Sequence, residues 1–408
     1  MKKNRKQQEP ILKPRFVLFG TYAEQNAGDD YMLAVQIEQF MSRVPGAQLV
    51  ILTGDRTETR KFIEREELDS NSIILLYSGR HGIFEPGIPW YRSFNWFWQN
   101  LRETARADFL LIGPGNQLQD VTRRMRVLFF ISRALLARIT KTPYAYFGIG
   151  FYEIKSNFCR YALRWTARRA AFISTRDKGG AVKIRELGIS ESKIFGLRDI
   201  TFCHNWDQSE PSRSQGKTDP MVGFSCRIFL PTVFPPKVAN EFYRSLASLL
   251  AFIHLKLGAK LQFFPFYRSS PFHDGVALEK LKSRPELKEI PISTYQWDTL
   301  ASLQQGISQC DGFVGIRYHS VLLSIQSGVP VLGLSYAHKT QRFMEETGLN
   351  DDVISVENVT AEKLIAQWQK LWQNRTVRVK QYRDICKVSQ ASANRHTDLI
   401  LQHLSKNI

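Results

Sequence analysis

Cysteine is scarce in this chain of 408 residues: five, at 159, 203, 226, 310 and 386, with no CxxC pair and no Cys/His spacing suited to a metal. Scattered and odd in number, they read as reduced thiols of a cytosolic protein, and neither a disulfide framework nor a metal cluster is expected. No run approaches the roughly 18 uninterrupted apolar residues of a membrane span. At the N-terminus the basic MKKNRKQQEP is followed by ILKPRFVLFG, where Lys13, Pro14 and Arg15 break what would have to be a signal-peptide apolar region. The expectation is a cytoplasmic protein without an integral anchor. A GxGxxG dinucleotide fingerprint is also missing, as is any RRM, KH, zinc-finger or helix-turn-helix signature.

Acidic residues are the other shortage, 38 against 56 Lys and Arg, giving a net charge of +18. The shortage is local. Residues 1–15 carry six basic side chains against Glu9, and residues 121–185 carry fifteen against only Glu153 and Asp177, so the remainder of the chain is neutral. With 43% apolar and 12% aromatic residues the chain has enough material for large cores, which excludes a disordered polybasic protein. A non-enzymatic nucleic-acid-binding protein fits the charge and the interleaved aromatics, but the basic residues fall inside an α/β repeat and no nucleic acid partner is expected.

Short apolar runs alternate with segments of helical period, the pattern of parallel α/β units. Strands are predicted at 16–19, 49–53, 73–77, 109–112, 144–147 and 172–174, then at 222–225, 261–265, 312–314 and 331–334. Helices fill the intervals, and only helical pattern follows about residue 360. The polar stretch 208–220 (QSEPSRSQGKTDP) reads as a linker. The predicted division is a basic arm at 1–15, a Rossmann-like domain at 16–207, the linker, a second Rossmann-like domain at 221–358 and C-terminal helices at 359–408. Ligands of such doubly wound sheets sit outside the strand C-termini, in the cleft between the domains.

Three turns of the first half fall at strand ends: Asn26-Ala27-Gly28-Asp29-Asp30, Gly113-Pro114-Gly115-Asn116 and Gly148-Ile149-Gly150. Small residues there let a backbone approach a ligand, although Asp29 or Asp30 acting only as a helix cap remains an alternative. In the second half Arg317-Tyr318-His319-Ser320 stands at a strand-to-helix junction and Lys339 leaves the end of the next strand. Two cations, an imidazole and a helix N-terminus suit a small polyanion. The alternative is that Arg317 serves a neighbouring carboxylate and His319 is a satisfied core residue.

Taken in order, the Asn26–Asp29 turn, Arg317-Tyr318-His319, Gly328-Val329-Pro330 and Tyr336 to Lys339 resemble the polysaccharide pyruvyl transferase family. The Gly113–Gly115 and Gly148–Gly150 turns, Arg176-Asp177, Asp199-Ile200-Thr201-Phe202 and Arg227 extend the resemblance over about residues 16–350. It implies a GT-B-like fold of two Rossmann-type domains facing a cleft. It also implies transfer of the enolpyruvyl group of phosphoenolpyruvate onto a sugar of a cell-surface polysaccharide or its lipid-linked precursor, with a pyruvate ketal formed and phosphate released. Arg317, Lys339, Arg227 and Ser320 would then bind phosphoenolpyruvate, with no cofactor and no metal. His319 would supply the acid or bind phosphate, and Asp29 would act as base. Asn26, Gly28, Gly113, Gly115, Asn116, Gly148 and Gly150 would meet the glycan or lipid-linked acceptor.

The rival reading is a GT-B glycosyltransferase using a nucleotide sugar. Many such enzymes place a Glu five residues before the glycine of the Gly-x-Pro step, where this chain has Leu323. For the basic block, Arg160, Arg164 and Arg168 recur at i, i+4 and i+8 on one helix face, a spacing at which like charges repel. That face is a candidate for peripheral contact with an anionic membrane. The aromatic run Trp90–Trp98 either adds interfacial contact or packs in the core. Along 123–140 the apolar stripe Leu128, Ile131, Leu135 and Ile139 is expected to face inward, with Arg124, Arg133 and Arg138 elsewhere.

Overall fold

The computed structural model describes residues 13–22, 25–78, 90–118, 124–151, 154–204, 219–229, 231, 234–269 and 273–405. The arm at 1–12 and most of the expected linker lie outside the described residues. Runs such as RFVLF and QLVILT have no helical period and bury both faces, so they form central parallel strands. The first sheet comprises β1 (Arg15–Phe19), β2 (Gln48–Thr53), β3 (Ile73–Tyr77), β4 (Phe109–Ile112), β5 (Gly115–Leu118), β6 (Tyr144–Phe151), β7 (Ile173–Thr175) and β8 (Ile194–Gly196). Its order is β3-β2-β1-β4-β6-β7-β8, with β5 beside β6, and every pairing is parallel. Helices α1 (Ala27–Arg43), α2 (Arg56–Arg65), α3 (Trp90–Ala105), α4 (Arg124–Thr140), α5 (Asn157–Ala167) and α6 (Lys178–Glu186) connect the strands.

The second sheet runs β11-β10-β9-β12-β13-β14, again all parallel. It is built from β9 (Met221–Phe224), β10 (Lys260–Phe263), β11 (Ile292–Thr294), β12 (Gly312–Gly315), β13 (Val331–Ser335) and β14 (Val353–Ser355). Its helices are α7 (Pro236–Leu257), α8 (Asp274–Lys282), α9 (Leu300–Ser308), α10 (Tyr318–Gln326) and α11 (His338–Glu346), followed by α12 (Ala361–Gln373) and α13 (Arg375–Ser405). In each sheet the strand order reverses once, between β1 and β4 and between β9 and β12. Those reversal points are where doubly wound folds open a crevice.

Alternation along β1 sends Phe16 and Leu18 into one core and Val17 and Phe19 into another. The first core continues through α1 to Phe264, Phe313 and Val321 of the second half, so the two sheets share an apolar seam. Helix α13 straps them together. Arg378 pairs with Asp352 near its start, and His396 bridges Ser174 and the Arg198 carbonyl near its end.

The structure departs from expectation in two places that bear on the site. Strand β6 runs through Gly148-Ile149-Gly150 instead of turning there; Gly148 takes a φ of +58° and the pairing with β7 slips in register, which absorbs the irregularity within the strand. On α4 the inward face is Val127, Phe130, Ile131, Ala134 and Ala137, whereas Leu135 and Ile139 are exposed and Arg133 is buried. Arg133 is accommodated there by the Ser78 carbonyl and the rings of Phe19 and Phe129. All five cysteines are free and buried. Among the described residues no helix is long and apolar enough to cross a membrane.

Candidate active site

The β1–α1 and β12–α10 turns leave the two reversal points and face each other. Asn26 caps α1, accepting from the Gly28 N–H and donating through Nδ2 to Asp29 at 2.7 Å. This settles the capping question: neither Asp29 nor Asp30 is the cap. The same turn is stitched to the second sheet, with the Ala27 N–H donating to the Phe266 carbonyl, the Arg268 N–H to the Gln25 carbonyl, and Asn26 bridging Tyr267. His319, in the first turn of α10, is brought so close that a methyl group at Gly28 would stand 1.9 Å from its Nδ1. Only glycine permits that approach.

An open, polar cleft results where the two turns meet. Its polar wall is Asn26, Asp29, Arg176, Arg317, His319 and Lys339, and Phe266, Tyr318 and Tyr336 supply rings. Five of the residues singled out in the sequence, Asn26, Asp29, Arg317, His319 and Lys339, thus converge with Gly28 at one place. Asp30, by contrast, is turned into the fold, and burial beside Asp29 pushes its carboxyl up to about 8.

Each charge in the wall has a partner behind it. Arg317 pairs with Asp274, a buried residue at the start of α8 whose other oxygen accepts the Phe266 and Tyr267 N–H groups at 3.0 Å. The carboxylate-partner alternative for Arg317 therefore holds, yet the guanidinium still lines the cleft. His319 Nε2 faces Asp199 Oδ2 at 3.7 Å, an electrostatic contact longer than a hydrogen bond, and Arg176 flanks the same oxygen at 3.8 Å. Burial alone would raise the Asp199 carboxyl, but His319, Arg176 and the Thr201 N–H hold it well below the usual carboxylate range. Burial lowers the His319 imidazole, with Asp199 opposing and Lys339 and Arg176 assisting, so the ring is neutral at pH 7.

Arg176, Phe266, Tyr318 and Tyr336 line the cleft although sequence reasoning left them outside the site, and Tyr336 has the most altered chemistry of the four. The Arg227 guanidinium stacks on its ring at 3.9 Å, and Lys339 sits over its edge. Burial would raise the phenol, but Lys339, Arg227 and Arg317 bring it down to about 7. The signal in the sequence was the cation-rich company of Tyr336, which is visible only once Arg227 is folded against it. Arg227 itself lies behind Tyr336 and does not line the cleft.

The other expected residues are elsewhere. The Ser320 hydroxyl is fully buried, donating to the Arg317 carbonyl and shared with Ser225, so it braces the β12–α10 junction instead of contacting a ligand. Gly113, Gly115, Gly148 and Gly150 do not line the cleft. At Gly113, φ is +128° and an added methyl group would meet the Phe147 carbonyl at 2.0 Å, so this glycine serves close packing of β4 on β6. Asn116 lies in β5. Arg160 and Arg164 on α5 and Arg168 at its C-cap are all exposed, away from the cleft.

A family model described as polysaccharide pyruvyl transferase matches residues 26–338. No curated protein sequence matches significantly. Solved structures with a similar fold include a UDP-GlcNAc 2-epimerase from Methanocaldococcus jannaschii, with 13% identity and a TM-score of 0.61 over 95% of this chain and 99% of that one. A glycosyltransferase from Rickettsia africae shows 12% identity and a TM-score of 0.61 over 97% and 100%. Anabaena HepE, solved in complex with UDP-glucose, shows 11% identity and a TM-score of 0.56 over 96% and 98%. At these identities the likeness establishes the GT-B architecture of two Rossmann-like halves.

Proposed function

The chain belongs to the polysaccharide pyruvyl transferase family, and from that premise we propose that it moves the enolpyruvyl group of phosphoenolpyruvate onto a sugar. The acceptor is a residue of a cell-surface polysaccharide or its lipid-linked precursor, and the product is a pyruvate ketal with phosphate released. The observation that carries this reading is the composition of the cleft: three cations, Arg176, Arg317 and Lys339, with a single carboxylate, Asp29, in the wall. A small donor bearing both a carboxylate and a phosphate needs that excess of fixed positive charge. Leu323, buried in α10, supports the same choice, because it offers nothing to hold a nucleotide ribose.

The chemistry distributes over named groups. A proton adds to the methylene carbon of the donor, and a sugar hydroxyl attacks the adjacent cationic carbon. That hydroxyl's proton is taken up by a base, the phosphate departs with the C–O bond electrons, and the second hydroxyl closes the ketal. Its proton leaves with the phosphate. His319 is the acid: lowered by burial, it gains a proton when the anionic donor binds beside it. Asp29, held by Asn26 on the opposite turn, is the base toward the acceptor. Lys339 and Arg317 grip the donor, while Arg227 acts through Tyr336.

The test is incubation with radiolabelled phosphoenolpyruvate or labelled nucleotide sugars and a lipid-linked glycan acceptor. Acceptor-dependent phosphate release with pyruvyl label in the glycan is expected. Transfer from a nucleotide sugar with none from phosphoenolpyruvate would establish the glycosyltransferase reading instead.

A further inference from the structure

One face of the first sheet is covered by α3, α4 and α5, with α4 packed against both neighbours. The outward side of this layer is unusually apolar. Phe94 and Trp98 on α3, Ile139 on α4, and Phe158 and Tyr161 on α5 are each half or more exposed. Phe94 and Trp98 stack edge-on along one side of α3, and Leu135 joins Ile139 on α4. On α4 and α5 and at the α5 C-cap, Arg138, Arg160, Arg164 and Arg168 are also exposed, Arg164 lying beside Gly188 and Arg168 donating to its carbonyl, and neither helix contains an Asp or Glu.

We infer that this three-helix face seats the protein on an anionic lipid bilayer. Exposed rings and aliphatic chains on the same helices as exposed arginines suit the interfacial zone, where apolar groups enter the acyl boundary and cations meet lipid phosphates. A second copy of the chain is a poor occupant, since pairing two such faces would bring two strongly positive regions together. Helices α3 and α5 both begin at the strand C-terminal edge, the edge on which the cleft opens. Phe94, in the second turn of α3, and Phe158, in the first turn of α5, therefore lie toward the side from which a membrane-borne acceptor would enter. The surface itself is inferred without reference to the donor.

Co-sedimentation of the full chain with phosphatidylcholine vesicles, and with equimolar phosphatidylcholine and phosphatidylglycerol vesicles, tests this with no glycan or donor present. Binding is expected to the anionic vesicles only. The triple variant R160E/R164E/R168E should lose roughly a hundredfold in partitioning, and F158S/Y161S at least about tenfold. The charge-matched triple K380E/R383E/K387E on α13 should retain binding. Melting temperature and sedimentation velocity of each variant separate folding and self-association from lipid binding. Equal loss in the α13 variant would show that net charge alone acts. Unchanged binding in the two face variants, absence of binding to anionic vesicles, or a face-dependent dimer would each overturn the inference.

Discussion

The cleft and the outer face of α3–α5 both concentrate positive charge, and they hold it in opposite ways. In the cleft the charges are partly or wholly buried and held by partners: Arg317 by Asp274, and Arg176 by Asp199, which also faces His319. On the outer face the arginines are exposed and their helices hold no acids. Buried, interlocked charge sets protonation states and positions groups to within a fraction of an ångström, while exposed like charge repels itself and calls for an external counter-charge. The net charge of the chain thus reports on its surface, and its chemistry rests on a few residues that contribute little to that total.

The largest expected effect separates the two regions outright. Replacing His319 with Gln should lower turnover by about 10²–10⁴-fold, the usual contribution of a positioned acid, and leave vesicle binding unchanged. Steady-state kinetics beside co-sedimentation checks both; a parallel loss would merge the regions. Next comes Asp274→Ala, which strands the Arg317 guanidinium and two backbone N–H groups. A loss of about 3 kcal/mol in chemical denaturation is expected. The exposed R160E/R164E/R168E variant should lose much less, and equal losses would contradict the contrast.

A smaller effect is written in pH. Asp30 keeps its proton up to about pH 8 in the fold, whereas an unfolded chain releases it near 4. Its contribution is therefore fully present below about pH 4 and is lost as pH rises toward 8. Melting temperatures across that window should fall in the wild type and flatten in Asp30→Asn; identical slopes would place the buried charge elsewhere. The subtlest test concerns Asp199, which opposes the burial that lowers His319. With Asp199→Asn the imidazole pKa drops further, so the high-pH fall of the rate should move to lower pH, read as a pH–rate profile. A displacement to higher pH would remove His319 from the acid role.

Much of the cleft was legible in the sequence because its residues sit where strands hand over to helices. Asn26, Gly28, Asp29, Arg317, His319 and Lys339 each follow a readable apolar strand by a few positions, and the doubly wound pattern sends such turns to one edge. The roles of the residues behind them were not legible. Asp274 and Asp199 act through partners far away in the chain, and the acidity of Tyr336 exists only once Arg227 stacks on it. The glycines at 113 and 148 illustrate the reverse error: glycine at a strand end signals close approach, but here the approaching group is another strand. Strands β5, β8, β11 and β14, three or four residues each, offered no apolar run to read. On α4 the heptad-like stripe through Leu135 and Ile139 misled because Arg133 finds rings and a carbonyl inside, leaving an apolar stripe outside.

The central claim is that the interlocked charges of the cleft, and not the exposed arginines, receive the donor. A crystal structure of the protein with phosphoenolpyruvate tests it most directly. The account predicts donor density bounded by Arg317, His319 and Lys339, with its methylene carbon toward His319. Density on the arginines of α5, or anywhere outside the cleft, would contradict it.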